Sequence, residues 1–132
     1  MLDRIDIQIE LPSLSYDELS EASAPAENSA TIRERVTRAR RFALERMKDI
    51  GERKIWCNAQ LDAAGIHEFC KPDEAASALL KSAYDRMGLS ARGYDRLLRV
   101  ARTIADLDGD ANISAVHLAE AIQYRNTDIL KG

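Results

Sequence analysis

Apolar residues recur at three- and four-residue spacing along most of the chain, and each such stretch is bounded by a capping residue or a stop. Ile32, Val36, Ala39, Ala43, Met47 and Ile50 make the first stripe. Asn28 or Ser29 can cap that helix and Gly51 can end it. Arg33, Arg35, Arg38, Arg40, Arg41, Arg46 and Lys48 spread around the rest of its circumference, which reads as a solvated face with a nucleic-acid or neighbour-subunit contact as the other reading. Trp56 to Leu61 is a connector, with Trp56 as a packing anchor, and Ala63 to Cys70 is a short helix. Pro72 suits the first turn of the next helix. Glu74, Ala75, Leu79, Leu80, Ala83 and Met87 give that helix an apolar face with one acidic edge, and Gly88 stops it. Ser90 caps another, in which Tyr94, Leu97, Leu98, Ala101, Ile104 and Ala105 point inward while Arg92, Arg96, Arg99 and Arg102 reach outward. A loop from Asp106 to Ile113 follows. Ser114 then caps a last helix whose buried side is Val116, Leu118, Ala121, Ile122 and Tyr124, ahead of Arg125 and a polar tail.

The start of the chain has a different period. Ile5, Ile7 and Ile9 alternate with Asp6, Gln8 and Glu10, the pattern of a half-buried strand. Pro12, Pro25 and the Ser/Ala/Glu-rich stretch from Ser20 to Ser29 read as a linker, with a short helical turn over Tyr16 to Leu19. The expected organisation is a mostly α helical bundle over 28–132, preceded over 1–27 by a detached β-strand and linker that order poorly in isolation.

At 132 residues the chain has room for one domain. Its net charge of −3 argues against an autonomous nucleic-acid binder, which needs a basic surplus on one face. No apolar run is long enough to span a bilayer and no secretory signal opens the chain, so a cytoplasmic location without membrane partners is expected. Cys57 and Cys70 lack a C-x-x-C or Cys/His ligand pattern and read as reduced structural thiols.

Two motifs invite a chemical reading. Asp106, Asp108 and Asp110 fall on the first, third and fifth positions of an EF-hand loop, with Ile113 on the eighth. The sixth position, which needs Gly, is Ala111, and the twelfth, which needs a bidentate Glu, is His117. No metal site is therefore expected, and His117 and His67 read as surface or capping residues. The second motif is the pair of helices around Gly88-Leu89, whose connection has the length of a helix-turn-helix and would place Arg92, Tyr94, Asp95 and Arg96 near base edges. Asp95 and the overall acidity oppose it. No glycine opens a G-x-x-x-x-G-K-[ST] loop, so the chain has no phosphate cradle of that kind.

Leu2-Asp3-Arg4-Ile5-Asp6, Asn58-Ala59-Gln60-Leu61, Leu89-Ser90-Ala91-Arg92, Tyr94 to Leu107 and His117 to Arg125 together carry a resemblance that covers nearly the whole chain. They resemble the end of the core and the helical lid of magnesium-chelatase-related AAA+ ATPases, the family of the ComM-like competence proteins. That resemblance implies a C-terminal piece of an ATP- and Mg²⁺-dependent ring motor, a homo-oligomer of hexameric type whose relatives remodel DNA by branch migration during natural transformation. A metallochelatase motor subunit is the nearest competitor, and a helix-turn-helix DNA-binding module is the alternative from another class. The resemblance makes Arg4 the catalytic arginine finger reaching a neighbouring subunit's nucleotide. It makes Arg92 the sensor-2 arginine that contacts nucleotide phosphate, and it sets Arg96 and Arg99 aside. A guanidinium suits both tasks because it stays charged and offers forked donors to phosphate oxygens. Gly93 weakens the first turn beside Arg92 by about 1 kcal/mol. Without the phosphate cradle, the chain alone is expected to bind no cofactor and to hydrolyse nothing.

Overall fold

The structure is a computed structural model and describes residues 6–9, 16, 27–48 and 57–125. Its helices are α1 Ser29–Met47, α2 Ala63–Phe69, α3 Glu74–Met87, α4 Ala91–Leu107 and α5 Ala115–Gln123, with a 3-10 turn at Asn58–Gln60. The mostly α lid-type architecture is the one expected. Arg4, Trp56, Ile50, Gly51 and nearly all of the linker lie outside the described residues. Tyr16 is helical and exposed.

Each helix starts where a short polar side chain satisfies an amide that has no partner within the helix. Asn28 accepts from the Thr31 amide, Asp62 from Gly65 and Asp73 from Ala76, each at 2.8 Å, and Ser90 accepts from Gly93 at 3.0 Å. Asp73 thus takes the place expected to follow Pro72 directly: Pro72 lies outside the helix, bridged in parallel to Ile113, whose carbonyl accepts the Asp73 amide at 2.9 Å. At α5 the His117 ring plays the part that Glu plays in a capping box, its Nδ1 accepting the Ser114 amide at 3.1 Å. Its Nε2–H donates to Asp108 at 2.7 Å, which fixes the tautomer. Gly88 ends α3 in the left-handed region at φ 60°, where a Cβ would be strained, and its amide returns to the Tyr84 carbonyl.

α4 is the axis of the bundle: it packs on α1, α2, the 3-10 turn and α5, while α3 packs on α5. Leu97, Leu98, Val100, Ala101, Ile104 and Ala105 are buried along it, and Leu61, Ile113 and Leu118 complete the core around them. Only Ala91, Arg92, Thr103 and Leu107 of α4 are exposed. Tyr94 is half-buried, edge-on to Tyr84 of α3 with the ring centroids 6.1 Å apart.

Periodicity misplaced several faces. In α1 only Ala39, Ala43 and Met47 are buried, whereas Ile32 and Val36 stay exposed because nothing described packs on the first two turns. Val116 is 76% exposed, since two residues along a helix is a rotation of about 200° and Leu118 holds the inner face. In residues 6–9 no strand forms, as a period-two segment needs a neighbouring strand for its amides. Instead Gln8 donates to the Tyr124 carbonyl at 2.8 Å and Asp6 pairs with Arg96 at 3.3 Å, with Ile7 and Ile9 still largely exposed.

Asp106 and Arg102 depart furthest from the sequence pattern. Asp106 belongs to the last turn of α4 and is 3% exposed, and Arg102, expected to face solvent, is 1% exposed. Arg46 of α1 grips Asp106 with both Nη atoms, at 2.7 and 2.9 Å, and also reaches Asn58. Asn58 donates onward to Asp106 at 2.8 Å and to Thr103 at 3.0 Å. Arg102 pairs with Asp106 from the next turn and donates to the carbonyls of Phe69, Asp110 and Ala111. Burial pulls its guanidinium below the usual arginine range, and Asp106 opposes that pull. One carboxylate therefore pairs with two arginines and joins α1, the 3-10 turn and α4, while Arg102 closes the end of α2 and the loop after α4.

Removing that carboxylate leaves a buried, uncompensated guanidinium. Asp106→Ala is expected to cost about 3 to 5 kcal/mol in urea unfolding, and a loss under about 1 kcal/mol would show that the network contributes little to stability.

Candidate functional site

The arginines of α4 separate by environment. Arg102 is consumed in the core, Arg99 donates to the Leu61 carbonyl at 3.2 Å, and Arg96 is paired with Asp6. Arg92 is exposed in the first turn and forms no hydrogen bond or ion pair among the described residues. It stands two residues past the Ser90 cap, where the amides of Ala91 and Arg92 have no acceptor within the helix and the helix dipole presents its positive end. An arginine there adds its own charge to the positive end of the helix dipole.

A second guanidinium lies against the same turn. Arg125, just past α5, is 9% exposed, and its Nη1 is buried without a hydrogen-bond partner. Its Nη2 lies 3.6 Å from where a Cβ on Gly93 would stand, in contact with the first turn of α4. Sequence reading passed over Arg125, because a cation at the end of a helix reads as an ordinary partner for the helix dipole. Arg4, the other expected site residue, lies outside the described residues, so its distance from Arg92 is not defined.

The remaining candidate chemistry resolves into structural roles. Asp106 is enclosed by Arg46, Arg102 and Asn58, Asp108 accepts from His117, and Asp110 Oδ1 accepts the Asn112 amide at 3.0 Å. The three carboxylates of the calcium-like loop are thus directed to three different partners. Among the described residues no group of three or more His, Cys, Asp or Glu is placed to hold a metal ion. Cys57 and Cys70 are both unpaired thiols. Burial pushes the Cys70 thiol up to about 11, against the attraction of Arg102 and Arg46 for a thiolate, which makes it a poor nucleophile. Of the residues that a helix-turn-helix would place near base edges, Arg92 is exposed while Tyr94, Asp95 and Arg96 are half-buried, Arg96 being paired with Asp6. No helix among the described residues is long and apolar enough to cross a membrane.

The family model for the C-terminal region of magnesium chelatase subunit ChlI matches residues 26–125. The chain belongs to that family. It is 40% identical over 124 residues to competence protein ComM of Haemophilus influenzae, covering 94% of this chain and 23% of ComM. It is 40% identical over 129 residues to the uncharacterized protein YifB of Escherichia coli, covering 98% of this chain and 24% of YifB. The YifB protein of Salmonella typhimurium is 36% identical over 129 residues. The chain spans about a quarter of the length of these relatives. It is a ComM/YifB-like, magnesium-chelatase-related C-terminal region, and the resemblance drawn from its motifs holds.

Two measurements check the structural roles assigned here. The Cys70 thiol keeps its proton in the folded chain above its ordinary value of 9.0, so stability should fall as pH rises from there towards about 11. Thiol labelling in native buffer should reach the half-buried Cys57 first and Cys70 only at the rate of unfolding; equal rates would show Cys70 to be accessible. Calcium titration should find no site tighter than about millimolar, and micromolar binding lost in Asp108→Ala would overturn the assignment of that loop.

Proposed function

We propose that the chain is the lid of a cytoplasmic, ATP- and Mg²⁺-dependent ring motor, a hexamer that remodels DNA by branch migration, and that Arg92 is its sensor of nucleotide phosphate. The observation that carries this reading is the isolation of Arg92 among the arginines of α4, at the end of the helix that organises the core. Membership of the magnesium-chelatase-related family supports a motor, and the likeness to a protein named for competence favours DNA over metal insertion as the object of its work. ATP and Mg²⁺ would be held by other parts of the motor, since this chain lacks the glycine-rich cradle. Its own share is two arginines with different tasks. Arg4 acts across the subunit interface, offering its forked donors to charge that develops in the transition state. Arg92 touches phosphate in the ground state too, so the bundle tilts with the nucleotide's state.

Those tasks give distinguishable mutants of the assembled motor. Arg4→Ala should lower hydrolysis by about a thousandfold or more while sparing nucleotide binding. Arg92→Ala should weaken nucleotide binding, and mixed rings of the two mutants should recover part of the activity by forming interfaces in which both arginines are intact. The chain alone should show no turnover. If both single mutants hydrolyse ATP at the parent's rate in a proven ring, the assignment is wrong.

A further inference from the structure

Arg125 presents an electrostatic problem that nothing described in the bundle resolves. A guanidinium with an unpartnered, buried nitrogen is costly, because among the described residues no carboxylate or hydrogen bond offsets its desolvation. Its position makes this worse: Nη2 lies against the first turn of α4, where the helix dipole and the amides of Ala91 and Arg92 add positive potential. The exposed cation of Arg92 belongs to the same turn. Asp95, the nearest acidic residue in sequence, forms no hydrogen bond or ion pair among the described residues.

We propose that Arg125 and Arg92 together grip a phosphate oxyanion at the N-terminal turn of α4, with Arg125 as a second, inner phosphate-binding residue. This rests on the reading of Arg92 as the contact for nucleotide phosphate and adds to it a residue that joins the end of α5 to the nucleotide. An oxyanion at this turn neutralises the unpaired guanidinium, accepts from the first-turn amides and leaves the outer side to Arg92. Arg125 reaches this turn beside Gly93, where its Nη2 lies 3.6 Å from the position a Cβ would take, within ordinary contact. Because Arg125 is held at the junction of α4 and α5, loss of the phosphate returns an uncompensated charge to the interior, and the lid is less stable without its nucleotide than with it.

The test is titration of the 132-residue chain with inorganic pyrophosphate at constant ionic strength, followed by the amide resonances of Ala91, Arg92 and Gly93 and by melting temperature. Saturable shifts at these amides and a rise in melting temperature are expected. Arg125→Met removes the unpaired charge and keeps the bulk, so it should melt higher than the parent without pyrophosphate, gain nothing from it and bind it about tenfold or more weaker. Arg125→Lys keeps the charge without the fork and should retain a weakened response, which covers the case of an unstable methionine variant. Shifts that map elsewhere, or an Arg125→Met chain that binds pyrophosphate as tightly as the parent, would overturn the proposal. The assembled motor separates the two readings: if Arg92→Ala loses nucleotide affinity and Arg125→Met does not, the inner arginine fails alone. If neither does, the nucleotide reading fails with it.

Discussion

The fold depends on one buried carboxylate. Asp106 receives Arg46 from α1, Arg102 from its own helix and Asn58 from the 3-10 turn, and without it two cations would sit in the core unpaired. A buried ion pair of this kind is a weak source of net stability, because desolvation offsets much of the attraction. Its effect is on specificity. The arrangement that brings α1, the turn and the end of α4 to one point gives both Nη atoms of Arg46 and the Asn58 amide their acceptors, so packings of these short helices that separate them are penalised.

The same network fixes one end of α4. Its C-terminal half is fixed by Asp106, Arg102 and the buried leucines, while its N-terminal turn meets solvent through Ala91 and Arg92. α1, α2 and α5 all pack on this helix. Residues 6–9 are tied to this end of the molecule as well, through Arg96 of α4 and the carbonyl of Tyr124. Polar bonds thus join this short segment to the bundle at both α4 and the end of α5.

The caps at Asn28, Ser90 and Ser114 and the stop at Gly88 were legible in the sequence because each is a local event: a side chain meets an amide three residues away, or a backbone angle suits only glycine. The exposure of Arg92 just past the Ser90 cap was legible too. The fate of the other arginines was not. Arg102 is charged and sits at the edge of an amphipathic stripe, so periodicity places it in solvent. Yet Leu98, Arg102 and Asp106 lie four residues apart on one line of the helix, and an Arg–Asp pair continuing a buried leucine was the available signal.

Sequence by itself determined that this chain is a helical lid of the magnesium-chelatase-related kind, since period, caps and motif order are properties of neighbouring residues. Tertiary structure alone decided which polar groups are buried together: that Asp106 leaves the calcium-like loop for the core, that Val116 faces outward, and that Arg125 arrives beside Gly93 from the far end of another helix. The physical reason is the range of the forces involved. Hydrogen bonds within a turn are written in adjacent residues, whereas the environment of a charge depends on what the fold brings near it, and in Arg46–Asp106 the partners are 60 residues apart.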